Sequence, residues 1–366
     1  MQGDCSQKKY LLRTARGSNE LEAVFRFRYE HFFHCFTEGY PGLDRVHSRL
    51  FEPHDLTSTH YCAFDNDGHP CAVSTATPAT ARDIPASWHE WLQLGGFVPR
   101  GSNGVVISTR LVIHPSHRHN GLFDLFYRFI MESYVKAGFE YALHYCSPGL
   151  LCRYEALGHR PYGEAFVVPP GLLRVPMFMA LRDIEYLRRL NPPLAELCAT
   201  HVPAASTARG VNLLRLSCRQ PNLLLLTPEE RLDFIRTRVE PDSLPDPLDL
   251  LPVLEHASLL RLKAGLSHTT STSGNFLFFV LSGAIKEPGT GRIAGPGAFV
   301  GTDSPPAPFT VVSDSLVLAF DQNLSREVPR TDTRLDTRSW WDALCLARDR
   351  MLPTQRPRAT GSQEII

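Results

Sequence analysis

Arg110-Leu-Val-Ile-His-Pro-Ser-His-Arg-His-Asn-Gly-Leu-Phe123 is the stretch on which the fold turns. Its first residues continue a β-prone run that begins at Gly104 and predicts a strand over 104–113. A polar loop, His114 to His119, follows. Then come Gly121 and an apolar repeat, Leu122, Leu125, Phe126, Phe129 and Ile130, which predicts a helix from Gly121 to about Lys136. A strand that passes through a short loop into a helix brings free N–H groups and the positive end of the helix dipole to the strand's tip. That is where anions bind. Arg118 adds a cation and Gly121 a close backbone approach. Arg118, His119, Asn120, Gly121 and Leu122 are therefore expected to seat a phosphate or pyrophosphate.

Outward from this stretch, residues 19–36 read as a helix, with Leu21, Val24, Phe25, Phe32, Phe33 and Phe36 at helical spacing. Runs at 59–65 and 70–77 flank Asp65-Asn-Asp-Gly68, a hairpin signal. On the other side lie a strand at 139–146 and a short helix, Gly149 to Leu157, closed by Gly158. Two β-prone runs then flank Pro169-Pro-Gly171. Strands alternating with helices in the middle and pairing antiparallel at both ends predict an α/β fold, a mixed sheet flanked by helices, over residues 8–190. The composition changes at Asn191-Pro-Pro193. Residues 191–252 read as a linker with short helices. Short strands and glycine turns over 253–330 predict a second, all-β domain, a small barrel or jelly roll. Residues 331–366 read as a terminal helix, Trp340 to Arg350, and a disordered tail.

The bulk numbers agree with two domains, because 366 residues exceed one compact core. Lys plus Arg equals Asp plus Glu at 38 each, which argues against nucleic acid as a partner. Nine scattered cysteines with no CxxC pair give neither a metal site nor a disulfide framework and suit buried thiols in a reducing compartment. The first nine residues lack the apolar core of a secretory signal, and no apolar run reaches the length of a membrane span. A cytoplasmic protein is expected.

A second element, Cys152-Arg-Tyr-Glu-Ala-Leu-Gly-His-Arg160, puts a tyrosine four residues before a helix-ending glycine, one strand and one turn after the anion seat. Together the two elements resemble the GNAT acyltransferase superfamily. Arg118 to Phe123 is similar to its cofactor loop except at Phe123, and Tyr154 to His159 to its Tyr-x-x-x-Gly-Phe signature except at His159. The branch resembled is that of the acyl-homoserine-lactone synthases and N-acyl amino acid synthases. Phe25-Arg-Phe-Arg-Tyr29, Glu52-Pro-His-Asp55, Thr109-Arg-Leu-Val-Ile113 and Pro176-Met177 with Asp183 follow that branch's order over about 180 residues.

The resemblance implies an N-acyltransferase that moves a long-chain acyl group from a pantetheine thioester to an amine by direct attack. No cofactor stays bound; the donor substrate is acyl-CoA or the phosphopantetheine of an acyl carrier protein, and the acceptor is an amino acid, a polyamine or a peptide. Tyr154 would be the general acid that protonates the departing thiolate. Backbone groups of Leu111, Val112 and Ile113, on a strand splayed from its neighbour, would hold the thioester carbonyl. Ser108 and Arg110 join Tyr154 as catalytic candidates, and Arg28, Asp55 and His144 are expected at the substrate. Phe123 stands where small residues make room for the CoA pyrophosphate, which points to an acyl carrier protein as donor and partner. Trp88 and Trp91 are offered for an acyl tunnel. Lactone synthases carry Glu three places before the strand arginine; here Ile107 stands there, which argues against lactone formation and leaves Ser108, His114 and His144 as bases. Two other readings are an acetyl-CoA-dependent acetyltransferase and a non-catalytic scaffold.

The C-terminal domain resembles the cyclic-nucleotide-binding barrel. Leu277 to Lys286 is similar to its central strand and turn, and Gly295-Pro-Gly-Ala-Phe-Val-Gly301 to the start of its phosphate cassette. Thr302 and Ala307 stand where that cassette carries Glu and Arg, so a bound phosphate would lack its cation. No cyclic-nucleotide binding is expected.

Overall fold

The computed structural model describes residues 10–32, 42–97, 104–118, 120–169, 171–201, 221–240, 244, 246–268, 276–287, 291–301, 309–327 and 337–351. The chain begins with β1 (Leu11–Thr14), α1 (Gly17–Phe32), β2 (Leu43–Asp44), β3 (Arg49–Leu50), β4 (Thr59–Phe64), β5 (Pro70–Pro78) and α2 (Ala86–Trp91). There follow β6 (Val105–Ile113), α3 (Leu122–Lys136), β7 (Tyr141–Cys146), α4 (Leu151–Ala156), β8 (Arg160–Pro161), β9 (Phe166–Val168) and β10 (Leu172–Ala180). Two helices, α5 (Ile184–Leu190) and α6 (Pro192–His201), complete the first half.

Its sheet has the order β1-β4-β5-β6-β7-β10-β8, with β9 also on β10. Every pairing is antiparallel except β6 with β7. The β4–β5 turn forms because the Asp65 carboxylate accepts the N–H groups of Asp67 and His69 at 3.0 and 2.9 Å, while Gly68 takes φ +81°. Helix α3 buries Leu122, Phe126, Ile130, Met131 and Tyr134 against one face of the sheet. The other face carries Trp88, Leu92, Leu94, Phe97, Ile107, Leu143 and Phe178 near α2.

Helix α6 departs from the expected linker. Leu194, Ala195 and Cys198 are buried in the same cluster as α3, so the first half runs past residue 190. Its two prolines sit in the first turn, where a missing N–H costs nothing, and start the helix rather than ending the domain. The residues beyond 351 and those at 33–36 of the expected first helix lie outside the described residues.

The second half holds helices α7 (Pro228–Arg236) and α8 (Pro247–Leu254), then β11 (Ala257–Leu262), β12 (Ser267–His268), β13 (Leu277–Lys286), β14 (Ile293–Ala294), β15 (Phe299–Gly301) and β16 (Phe309–Phe320). These strands form a six-stranded antiparallel sheet ordered β11-β16-β13-β14, with β12 on β16 and β15 on β13. Helices α9 (Gln322–Glu327) and α10 (Thr337–Met351) follow, and Trp341 of α10 is fully buried beside Phe279, Phe299 and Phe320. Among the described residues no helix is long and apolar enough to cross a membrane.

Candidate active site

The site begins where the sheet opens. Strands β6 and β7 pair in parallel at Val105–Tyr141, Val106–Ala142 and Ile107–Leu143, and the ladder then ends although both strands continue, to Ile113 and Cys146. Beyond Ile107 and Leu143 the two facing edges have left each other's hydrogen bonds, and a wedge opens between them. Backbone polar groups there need other partners.

A bulge shapes the β6 side. The register with β5 slips between Val73–Val112 and Thr75–Thr109, and Arg110 takes φ +56°. Positive φ on a non-glycine residue is strained and concentrates at functional sites. The slip flips the strand's alternation. Val106 faces α3 and Ser108 meets the Tyr134 hydroxyl of that helix, whereas after the bulge Leu111 and Ile113 face the α3 side. Val112 turns its side chain to the α1 cluster and leaves only its backbone at the strand edge.

At the tip of β6 stand Arg118, Asn120, Gly121 and Leu122, four of the residues expected to seat an anion; His119 lies outside the described residues. Gly121 is the N-cap of α3 at φ +80°. Nothing stands within 4 Å of an added Cβ, so the backbone angle, not space, calls for glycine. Asn120 donates to the Tyr10 hydroxyl at 2.8 Å and accepts from the Leu122 N–H at 3.3 Å. Arg118 donates to the Ile113 carbonyl at 3.2 Å, which ties its guanidinium to the end of β6. Asp124, exposed in the first helical turn, adds a carboxylate near the same helix start. The Phe123 ring stacks on Tyr127 at 5.8 Å and lies under the Arg153 guanidinium at 5.7 Å.

Tyr154 stands against β7 just past its last pairing with β6. Its ring lies 4.3 Å from His144 of β7 and 5.4 Å from His159. His144 and His159 are themselves 4.3 Å apart, edge to face, and His159 Nε2 shares a 2.6 Å hydrogen bond with the Tyr127 hydroxyl. Burial drives the Tyr154 phenol well above its ordinary value, with Cys146 adding to the effect. Burial alone pushes His144 down to about 3 and, with His144 as neighbour, drives His159 well below the usual imidazole range. The cage is therefore neutral at pH 7. Among the described residues the buried atoms His144 Nε2 and His159 Nδ1 have no hydrogen-bond partner, a cost of about 1–3 kcal/mol each that a bound polar group would relieve. Of the three bases read from the sequence, His144 is too weakly basic for the task. Ser108 is engaged with Tyr134. His114 bonds Ser116 at 2.7 Å and packs on His31 and His117.

The opposite face of the sheet holds a different chemistry. Arg110 donates to Glu52 at 2.5 Å, and both side chains are 12–13% exposed. The carboxylate beside the strand arginine thus comes from Glu52, while Ile107 is buried in the apolar cluster. Tyr145 lies within electrostatic reach of Arg110, Arg174 and Glu52, and its ring packs with Trp91 and Phe166, both partly exposed. Trp88 is in the core and touches His54 at 4.6 Å.

Arg28 and Asp55 meet each other. Arg28 donates to Asp55 at 2.8 Å, to His60 Nδ1 at 2.8 Å, and to the Thr75 hydroxyl; His60 Nε2–H donates to the Asp55 carbonyl at 3.0 Å. Burial pushes the Asp55 carboxyl up, but Arg28 and the Glu52 N–H outweigh it and leave the group ionised. Burial and Arg28 push His60 down to about 4. The network braces α1 against the strands rather than facing solvent.

No family model matches the sequence, and no curated protein matches it. Solved structures are similar to its N-terminal half. A CoA-dependent acyl-homoserine lactone synthase, MesI, is 18% identical, covering 54% of this chain and 97% of its own, with a TM-score of 0.39. Another, BjaI, is 16% identical over 51% of this chain and 89% of its own, with a TM-score of 0.41. FeeM, an N-acyl amino acid synthase from uncultured soil microbes, is 13% identical over 48% and 93%, with a TM-score of 0.37.

Tyr127, His159, Arg153, Glu52 and Tyr145 were not chosen from the sequence. His159 stood out there only as a departure from a motif. Tyr127 carries no local mark, since its role depends on a neighbour 32 residues away.

Proposed function

We propose that this protein is an N-acyltransferase whose donor thioester lies in the wedge between β6 and β7. The observation that carries the reading is the end of the β6–β7 ladder at Ile107 and Leu143, with the Tyr154 ring against His144, the first β7 residue past the last pair. A pantetheine arm is an extended, amide-bearing chain, and two strand edges without each other's hydrogen bonds suit it. The start of α3 takes the phosphate, helped by Arg118 and Arg153. The acceptor amine enters from the face of Arg110, Glu52 and Tyr145. Arg28 and Asp55 serve it indirectly, by holding α1 and the Glu52–Asp55 turn in place.

In the reaction, the free amine attacks the thioester carbonyl. Backbone N–H groups of Leu111 to Ile113 stabilise the developing oxyanion. The carbon–sulfur bond breaks, and the Tyr154 hydroxyl gives its proton to the thiolate. A phenol is protonated at neutral pH and can give that proton to the sulfur at short range, and burial makes it hold the proton more tightly in the resting state. The amine proton returns to the phenolate. His144 offers a neutral imidazole beside that path as a hydrogen-bonding group, not as a base.

Phe123 supports an acyl carrier protein as donor: its ring fills the mouth between α3 and α4 under Arg153, where a CoA pyrophosphate would need room. The second half is read as a cyclic-nucleotide-binding-like barrel that has lost its ligand. Phe276, Phe278, Phe309 and His268 pack on one another within it.

The test is thiol release from a panel of acyl carrier protein and CoA thioesters, acetyl to hexadecanoyl, with pooled amino acids, polyamines and lysine peptides. Long-chain acyl carrier protein is expected to turn over fastest. Faster turnover of acetyl-CoA overturns the long-chain reading, and no amine-dependent release from any donor overturns the enzyme.

A further inference from the structure

The two halves of the chain meet at the catalytic helix itself. One apolar cluster joins Cys146, Leu151, Leu173, Val175 and Met177 of the first half to Leu260, Phe278, Val280 and Val317 of the second, and Tyr154 packs against it. At its edge the Leu173 N–H donates to His268 Nδ1 at 3.2 Å, and Cys152 Sγ donates to the Glu255 carbonyl at 3.3 Å. Next to Tyr154, Glu155 turns into this interface. Its side chain is 2% exposed, and it accepts a hydrogen bond from the hydroxyl of Ser258, which is fully buried on β11.

A carboxyl in such a place is out of keeping with packing alone. Glutamate is almost never fully buried unless paired, and among the described residues no cation pairs with this one. The ionisable groups within its reach are Cys152 on its own helix, Cys146 on β7 and Tyr186 on α5. Beyond Cys152 lie Asp321 and Arg231, of opposite sign, and Arg231 is engaged with Glu255 at 3.7 Å and with the Leu223 carbonyl at 2.7 Å. Among the described residues, the one group that bonds the Glu155 carboxyl is a neutral hydroxyl from the other half of the chain.

We propose that the C-terminal half is a brace for the Tyr154 helix, and that the Glu155–Ser258 hydrogen bond is its latch. Glu155 and Ser258 are positioning residues: they touch no reacting atom, and they fix α4 so that the phenol stays beside the wedge. The proposal rests on the acyltransferase reading for its purpose, but its contacts are independent of that reading. The second half then has a use without any bound nucleotide.

The latch has a pH signature. Burial raises the Glu155 carboxyl to about 8, so the folded chain keeps a proton that the unfolded chain releases. Such a group contributes its full stability below the unfolded carboxyl range. The contribution is lost as pH rises and is gone once pH passes the folded value. Above that point a bare carboxylate would sit in an apolar seam, and the latch opens.

The experiment uses the full chain as wild type, Glu155→Gln and Ser258→Ala. Thermal unfolding is followed from pH 5 to 9, and amide exchange of residues 151–158 is followed at pH 7 and 9 after correction for intrinsic rates. Gln keeps a neutral acceptor for Ser258 but cannot ionise. Its midpoint is expected to gain on wild type steadily up to about pH 8 and then to hold a constant lead. Exchange in 151–158 is expected to quicken in wild type between pH 7 and 9 and to stay level in Glu155→Gln. In Ser258→Ala it is expected to run about tenfold faster at pH 7, the loss of one buried hydrogen bond. A Glu155→Gln midpoint that follows wild type across this range overturns the latch, as does unchanged exchange in Ser258→Ala. Neither readout needs turnover. An inactive protein with the expected exchange pattern would sink the acyltransferase and leave the brace standing.

Discussion

Tyr154 and Arg28 illustrate two opposite uses of burial. Around Tyr154, burial keeps the phenol neutral among neutral rings, and the proposed function gives that phenol the proton for the leaving thiolate. Tyr154→Phe keeps the ring and its packing and removes the proton. Turnover is expected to fall by about 10²–10⁴ with little change in donor KM; unchanged turnover would strip Tyr154 of this role. Around Arg28, burial sets architecture. Arg28→Met fills similar space but leaves Asp55 as an unpaired buried charge, and unfolding free energy is expected to drop by about 3–5 kcal/mol in denaturant titration. The place of Tyr154 on a short helix ended by Gly158 was legible, because its distance from that glycine is a local fact. The sequence did not carry the pairing of Arg28 with Asp55, 27 residues apart, or that of Arg110 with Glu52. Those depend on which side chains the folded sheet brings face to face.

Helix ends and strand breaks decide where the parts sit. Gly158 closes α4 at φ +103°, and an added Cβ would come within 2.5 Å of Leu187 on α5. Gly158→Ala therefore meets both a disfavoured backbone and a neighbour, and is expected to cost about 1–3 kcal/mol in stability for the backbone alone, measured by thermal or chemical unfolding. This glycine was legible, and so were the hairpin at Asp65–Gly68 and the β6-to-α3 turn, since each rests on residues next to one another. The bulge at Arg110 was not legible, because its β-branched neighbours read as an even strand and the slip belongs to the pairing with β5. Strand β1 was missed for a similar reason: Leu11 to Thr14 is short and half-exposed, and only its register on β4 makes it a strand.

At the scale of the whole chain, the two halves are joined across α4 and β10 by a shared core, not merely by the connecting segment. The second half's strands and glycine turns were readable from composition, but its docking surface was not, since Leu260 and Val317 look like ordinary strand residues. With Phe276, Phe278 and Phe309 packed on one another, and Ala307 where a phosphate-pairing arginine is expected, calorimetry with cAMP or cGMP is expected to give no heat at micromolar concentrations; a micromolar affinity would reverse the reading of this half. The single parallel pairing has a mechanical meaning too. The first half's sheet is two antiparallel meanders, β1-β4-β5-β6 and β7-β10-β8, stitched by three residue pairs. That seam is the tear line of the domain. Under load, or in rare thermal openings, the meanders are expected to part there first and fold back as separate pages, and amides of residues 105–107 should exchange sooner than those of the β4–β5 ladder. On the proposed acyltransferase reading, a long, flexible donor would enter the sheet at the spine of this book, where the fewest hydrogen bonds have to part.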